Sequence, residues 1–201
     1  DGKRIVFRVT DPAGKPIRRF YSQPWNESEP PKPLEGADGA EAVEFAGPLG
    51  KYIAFVRGDS GLTDNFRTNS DIYIAPIDSP AAQRPFAATG IRERKPRFSP
   101  DGRWLAYVGH ELPSGGAAQV GIGILYVREV PGPGPVIPVS IQFGLDPLWA
   151  ADGRSLYYFA GGGGAPFTVA RLAKSGDFKI AATQEAFSRP NQGTGFANPA
   201  G

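Results

Sequence analysis

Apolar residues along this chain fall in strand-sized runs broken by turn formers, and within the runs the side chains alternate. In Trp104-Leu105-Ala106-Tyr107-Val108, Trp104, Ala106 and Val108 share one face while Leu105 and Tyr107 share the other. That is the period of two of a half-buried β-strand. The pattern predicts many short strands and no long helix.

The strands recur in order. Pro96-Arg97-Phe98-Ser99-Pro100-Asp101-Gly102-Arg103 leads into the run above, and Pro147-Leu148-Trp149-Ala150-Ala151-Asp152-Gly153-Arg154 leads into Ser155-Leu156-Tyr157-Tyr158-Phe159 in the same way. Val43-Glu44-Phe45 through Gly50 to Val56 is a looser copy, with Gly47-Pro48-Leu49-Gly50 in place of the Asp-Gly turn, and Asp1-Gly2-Lys3-Arg4-Ile5-Val6-Phe7 reads as the second half of another. The turn glycines Gly2, Gly50, Gly102 and Gly153 stand 48, 52 and 51 residues apart, and a further 48 ends on Gly201. Each unit reads as four strands. A short strand ends in an aromatic, an alternating strand follows the turn, and a third lies beyond a variable loop (71–76, 124–128, 167–172). The fourth is weaker and flanked by proline (85–89, 136–140), as an outer edge tolerates. Four strands per unit, repeated at this period, predict an all-β fold: one β-propeller domain over 1–201, either a closed four-bladed ring or an arc of a larger one.

The Ser99-Pro100-Asp101-Gly102 turn and its degraded copy Ala151-Asp152-Gly153 resemble the TolB-like propeller repeat. The resemblance covers most of the chain and is strongest over 91–160. It implies a non-catalytic platform for protein partners outside the bacterial cytoplasm, and it carries no fixed set of functional residues onto this sequence.

Composition agrees with the strand pattern. The 27 Gly and 21 Pro among 201 residues oppose helix, yet 40% hydrophobic residues, with 13 Phe, 7 Tyr and 3 Trp, supply a core that a disordered chain lacks. With no Cys and one His, thiolate chemistry, disulfides and histidine metal clusters are excluded, and no cofactor is expected. The balance of 22 Lys+Arg against 20 Asp+Glu lacks the basic excess of a nucleic-acid-binding domain. No apolar run reaches membrane-spanning length. The chain starts at Asp1 and holds no Met, so any signal peptide or anchor is expected in a part not included.

Motifs that carry chemistry are few. Gly58-Asp59-Ser60-Gly61-Leu62 is similar to a serine-protease nucleophile segment, but the sole histidine, His110, follows it in sequence where that family puts it first; a hairpin loop is the reading taken. Gly161 to Gly164 lacks the Lys-Ser/Thr and the helix of a phosphate cradle. Asp59, Asp64, Asn65, Asn69 and Asp71 gather oxygen ligands without calcium-loop spacing. His110 reads as a solvated loop residue after the second strand of its unit. Arg92-Glu93-Arg94-Lys95-Pro96-Arg97 reads as a basic rim just before an inner strand. Asp101 and Asp152 repeat with the fold and read as turn formers.

Binding function is therefore expected on loops. The partner surface is assigned to Trp25, Pro30 and Pro31 in the Pro-rich arm Gln23–Pro33, Asp64, Asn65 and Phe66 in the loop from Gly58 to Ser70, Arg92 and Arg94 in the basic run, and His110 and Glu111 at the next loop. The expected partner is a protein, a membrane protein complex included, with no nucleic acid and no membrane span in this sequence. The function expected is a non-catalytic interaction module, extracytoplasmic and part of a larger complex. The alternative is the propeller portion of an enzyme: a prolyl-oligopeptidase-like or tricorn-like peptidase, or the sensor of a receptor serine/threonine kinase.

Overall fold

A computed structural model describes residues 4–9, 19–45, 51–58, 69–110, 123–161, 167–173 and 178–187. Their regular structure is all β: β1 (Arg4–Val9), β2 (Arg19–Pro24), β3 (Lys32–Pro33), β4 (Ala42–Phe45), β5 (Tyr52–Gly58), β6 (Ser70–Pro76), β7 (Arg84–Ala87), β8 (Arg92–Phe98), β9 (Trp104–His110), β10 (Gly123–Glu129), β11 (Val136–Pro138), β12 (Leu145–Trp149), β13 (Ser155–Phe159), β14 (Phe167–Leu172) and β15 (Ile180–Phe187). They form a three-stranded sheet β1-β2-β3 and four-stranded sheets β4-β5-β6-β7, β11-β10-β9-β8 and β12-β13-β14-β15. Each sheet is an antiparallel meander holding one sequence unit, the blade architecture of a propeller. In the first sheet β1 takes the second-strand position, as the opening half-copy predicts. The expected closure of the ring by 194–199 falls outside the described residues.

The repeated turn is built by its own side chains. Asp101 Oδ1 accepts from Arg103 N at 3.0 Å, and Ser99 Oγ accepts from Trp104 N at 2.9 Å while donating to Asp101 Oδ1 at 2.6 Å. Gly102 takes φ +70°, which a side chain would oppose. The fourth-sheet copy keeps the Asp-Gly part of the device, with Ala150 in the place of Ser99: Asp152 Oδ1 accepts from Arg154 N at 2.8 Å, with Gly153 at φ +65°. Asp101 and Asp152 are turn formers.

Ahead of each of these turns the innermost strand breaks its ladder. The pairing shifts between Arg94 and Arg97 in β8 and between Leu145 and Leu148 in β12. In each, two residues face one on the partner strand, Lys95-Pro96 against Tyr107 and Asp146-Pro147 against Tyr158, with Lys95 at φ +54° and Asp146 at φ +51°. Proline has no amide to give the ladder, so a bulge is where an inner strand can hold one.

Three hydrophobic clusters lie between successive sheets. Ile53, Phe55 and Ala75 pack with Phe20 and Leu34 between the first and second. Ile72, Ile74 and Phe86 meet Leu105 and Tyr107 between the second and third. Val108, Leu125 and Val127 meet Trp149, Leu156 and Tyr158 between the third and fourth. Trp149 is buried there, and its indole N–H donates to the Arg97 carbonyl of the neighbouring sheet at 3.0 Å. Trp104 is half-buried, its ring 5.3 Å from that of Phe178. The outer strands β3, β7 and β11 carry Pro33, Pro85 and Pro138; β15 is longer and has none.

Candidate interaction surface

The Pro-rich arm is a hairpin tip rather than a uniformly extended segment. Pro24 ends β2, Trp25 and Asn26 make the turn, and Glu27 enters the left-handed region at φ +56° with its N–H donating to Pro24 O at 3.0 Å. Ser28 N donates to Asn26 Oδ1 at 3.3 Å, and Lys32 pairs with Glu29 at 2.9 Å before the chain returns as β3. An Asn side chain closing on the backbone two residues on explains why the chain turns here although its prolines favour extension. Trp25 stands 66% exposed at this tip, beside exposed Pro30 and Pro31.

The basic run is not a rim ahead of the inner strand. It is the inner strand itself: Arg92 pairs with His110 and Arg94 with Val108 along β8 and β9. Arg92 is 6% exposed and His110 4%, so the solvated-loop reading of His110 is corrected too; it is the last residue of a buried strand. Because strand residues two apart share a face, Arg92, Arg94 and His110 lie together on the side facing the fourth sheet. Arg94 Nε donates to His110 Nε2 at 3.2 Å, which makes that imidazole nitrogen an acceptor. A Cβ on Gly123, opposite His110, would meet the imidazole and Leu145, so glycine leaves the ring its space.

Glu93 points to the other side, toward the second sheet, and is 1% exposed. Its Oε1 accepts from Thr89 N at 3.1 Å and from the Thr89 hydroxyl, while Oε2 has no hydrogen-bond partner. Burial raises its carboxyl above the usual carboxylate range; the Thr89 bonds oppose this and nearby Asp71 adds to it. The same strand ties the sheets by charge. Arg97 Nη1 meets Glu44 Oε2 at 3.0 Å, and Lys95 pairs with Asp146. Glu44 is nonetheless raised by burial, which outweighs Arg97.

Of the residues assigned from sequence, Asp64, Asn65, Phe66 and Glu111 lie outside the described residues. Arg92, Arg94 and His110 are brought together on one sheet, whereas Trp25, Pro30 and Pro31 occupy the first sheet's hairpin. Sequence reading passed over an open groove of about 350 Å³ lined by Val139, Ile141, Phe143, Tyr158 and Thr183, where Ile141 is 96% exposed. The signal was Ile141-Gln142-Phe143 directly after the outer strand of the third unit. Among the described residues no group of three or more His, Asp or Glu side chains is placed to hold a metal, and no helix is long and apolar enough to cross a membrane.

A blade-repeat protein of the propeller class is what these sheets define, and solved structures agree on the fold. The chain is similar to a prolyl endopeptidase (TM-score 0.57, 16% identity, 91% of this chain and 28% of that one). It is similar also to a TolB-type protein from Agrobacterium tumefaciens (TM-score 0.53, 15% identity, 90% and 61%). Among curated proteins it matches Dipeptidyl-peptidase 5 of Porphyromonas gingivalis, 27% identical over 138 residues, which is 67% of this chain and 20% of that protein. The chain thus spans about a fifth of that relative. No family model matches it.

Proposed function

We propose that this chain is a non-catalytic, protein-binding propeller module that works outside the cytoplasm within a larger complex. The observation that carries the reading is Trp25, an indole 66% exposed on a hairpin tip held by its own turn bonds. A large aromatic fixed in water gains on binding by burying its ring, and the ordered, proline-flanked backbone beneath it gives up little entropy. Partner contacts are assigned to Trp25, Pro30 and Pro31, with Asp64, Asn65, Phe66 and Glu111 proposed as further contacts, while Arg92, Arg94 and His110, which stand on paired strands of the third sheet, are left out of that surface. The TolB-like turn supports the extracytoplasmic placement.

A second reading is the propeller part of a peptidase. The 27% identity to Dipeptidyl-peptidase 5 favours it. A photo-crosslinking residue at position 25, introduced in the native host and followed by identification of the adducts, tests both. The interaction reading expects one recurrent protein adduct that competes with added wild-type chain and disappears when the probe is moved to exposed Ile77. If the full polypeptide yields no adduct and cleaves dipeptides from peptide substrates, the peptidase reading replaces it.

A further inference from the structure

The sheets meet by their faces, and the two faces of each differ in kind. Five residues after each turn glycine stands an aromatic, Phe7, Phe55, Tyr107 or Tyr158, and in the first three sheets a tyrosine pairs with it across the strands: Tyr21, Tyr73 and Tyr126. Phe55, Tyr107 and Tyr158 each belong to the cluster shared with the sheet before, while the opposite face, as in Ala106 and Val108, receives the sheet that follows. Stacking of this kind covers faces and leaves the outer edge of each sheet open.

Three of the outer edges are blunted. β3, β7 and β11 run only 2, 4 and 3 residues, and each holds a proline, so they make poor templates for another strand. β15 differs: it runs 8 residues without proline, Glu185 is its one charge, and Ala181 through Ala186 are exposed. Among the described residues it pairs with β14 alone, and none of its residues makes a further hydrogen bond or ion pair. The main-chain groups on its other side are open.

A groove lies beneath that edge. Leu156, Ala170 and Thr183 stand opposite one another across β13, β14 and β15, as do Tyr158, Thr168 and Glu185. Thr183 and Glu185 therefore share the face that Leu156 and Tyr158 turn to the third sheet. The groove of about 350 Å³ opens there, between Thr183 and Tyr158 on one side and Val139, Ile141 and Phe143 on the other. A strand laid along β15 continues the ladder that β12 to β15 already form, and its alternate side chains point to this face. One beside Thr183 enters the groove; one two positions along stands by Glu185, where a cation is favoured.

We propose that β15 is a docking edge for an extended segment of a partner protein, held by main-chain pairing, with an apolar side chain in the groove and a basic residue two positions away against Glu185. The site is separate from the Trp25 hairpin and does not rest on it. Any further sheet of the same polypeptide stacks on a face and leaves this edge as it is.

A fluorescein-labelled peptide, Thr-Lys-Val-Phe-Val-Lys-Thr, puts its phenylalanine and both lysines on one face and reads alike in either direction. Its anisotropy with the whole chain tests the proposal. The wild type is expected to bind it and to gain amide protection along β15. N-methylation of one alternate set of peptide amides is expected to abolish binding, and of the other set to leave it. Ile141→Lys, at a position 96% exposed, is expected to weaken binding about tenfold. Glu185→Lys is expected to weaken it about threefold and to be rescued by a peptide with glutamates in place of the lysines. Trp25→Ala is expected to bind as wild type does. No binding at millimolar peptide overturns the proposal. So does a β15 whose outward amides are protected before peptide is added, since another stretch of the polypeptide then holds the edge. Binding indifferent to N-methylation overturns it too, for the groove alone would then be the site.

Discussion

Trp149 joins the two kinds of force that hold neighbouring sheets, ring burial and a hydrogen bond to a strand carbonyl of the sheet before it. Trp149→Ala is expected to cost about 3–5 kcal/mol, and Trp149→Phe to keep most of the burial and lose about 1 kcal/mol. Chemical denaturation of both variants checks the split. Glu93 acts in the opposite sense. Its carboxyl titrates above its unfolded value, so the folded state holds the proton longer than the unfolded one, and the stability that protonation contributes is lost as pH rises from about 4.5 through the raised value. Glu93→Gln keeps an oxygen for Thr89 and carries no charge. It is expected to gain about 1 kcal/mol at neutral pH and to flatten that part of the pH profile, read by urea midpoints between pH 4 and 8. A variant less stable than wild type at pH 7 would show that the ionised carboxylate is the favoured form.

At the scale of the element, the Asp-Gly turn was legible in the sequence because its chemistry is local: acceptor, hydroxyl and glycine lie within six residues. Gly102→Ala is expected to destabilise by about 1 kcal/mol, since the left-handed backbone there opposes a Cβ, with thermal melting as the readout. Strand order and the proline-bearing outer edges were legible for the same reason. The placement of Arg92, Glu93 and His110 was not. Four cations in six residues read as solvated surface, and only pairing with β9, across a bulge that no local pattern marks, shows that the run is strand and that its first residues are buried. The hairpin carrying Trp25 was half legible. Its prolines spoke for extension, and the turn rests on Asn26 and on Glu27 taking a conformation its type rarely adopts.

Over the whole molecule, cohesion passes from sheet to sheet, so stability should vary along the arc. Among the described residues the second and third sheets have buried clusters on both faces, whereas the first has one on a single face. Amide exchange is expected slowest in β5, β6, β9 and β10 and fastest in β1 and β2, by orders of magnitude if the end sheet opens independently. Uniform protection would mean that the sheets unfold as one unit. The Arg97–Glu44 and Lys95–Asp146 pairs fasten inner strands whose side chains remain partly exposed, so salt should weaken them modestly, by about 0.5 kcal/mol each; denaturant midpoints of Arg97→Ala with and without salt read this.

The unlike faces of the sheets give the chain a direction, much as a tongue and a groove do in flooring. A unit copied whole, from one turn glycine to the next, arrives with a tongue for the groove before it and a groove for the tongue after it. Duplication of about fifty residues therefore lengthens such a molecule without redesigning any seam. A unit cut at another point, or the same strands in reverse order, would set aromatic pair against aromatic pair and leave small residues facing each other across a gap. The spacing of Phe7, Phe55, Tyr107 and Tyr158 is in this sense a record of how such a chain can grow.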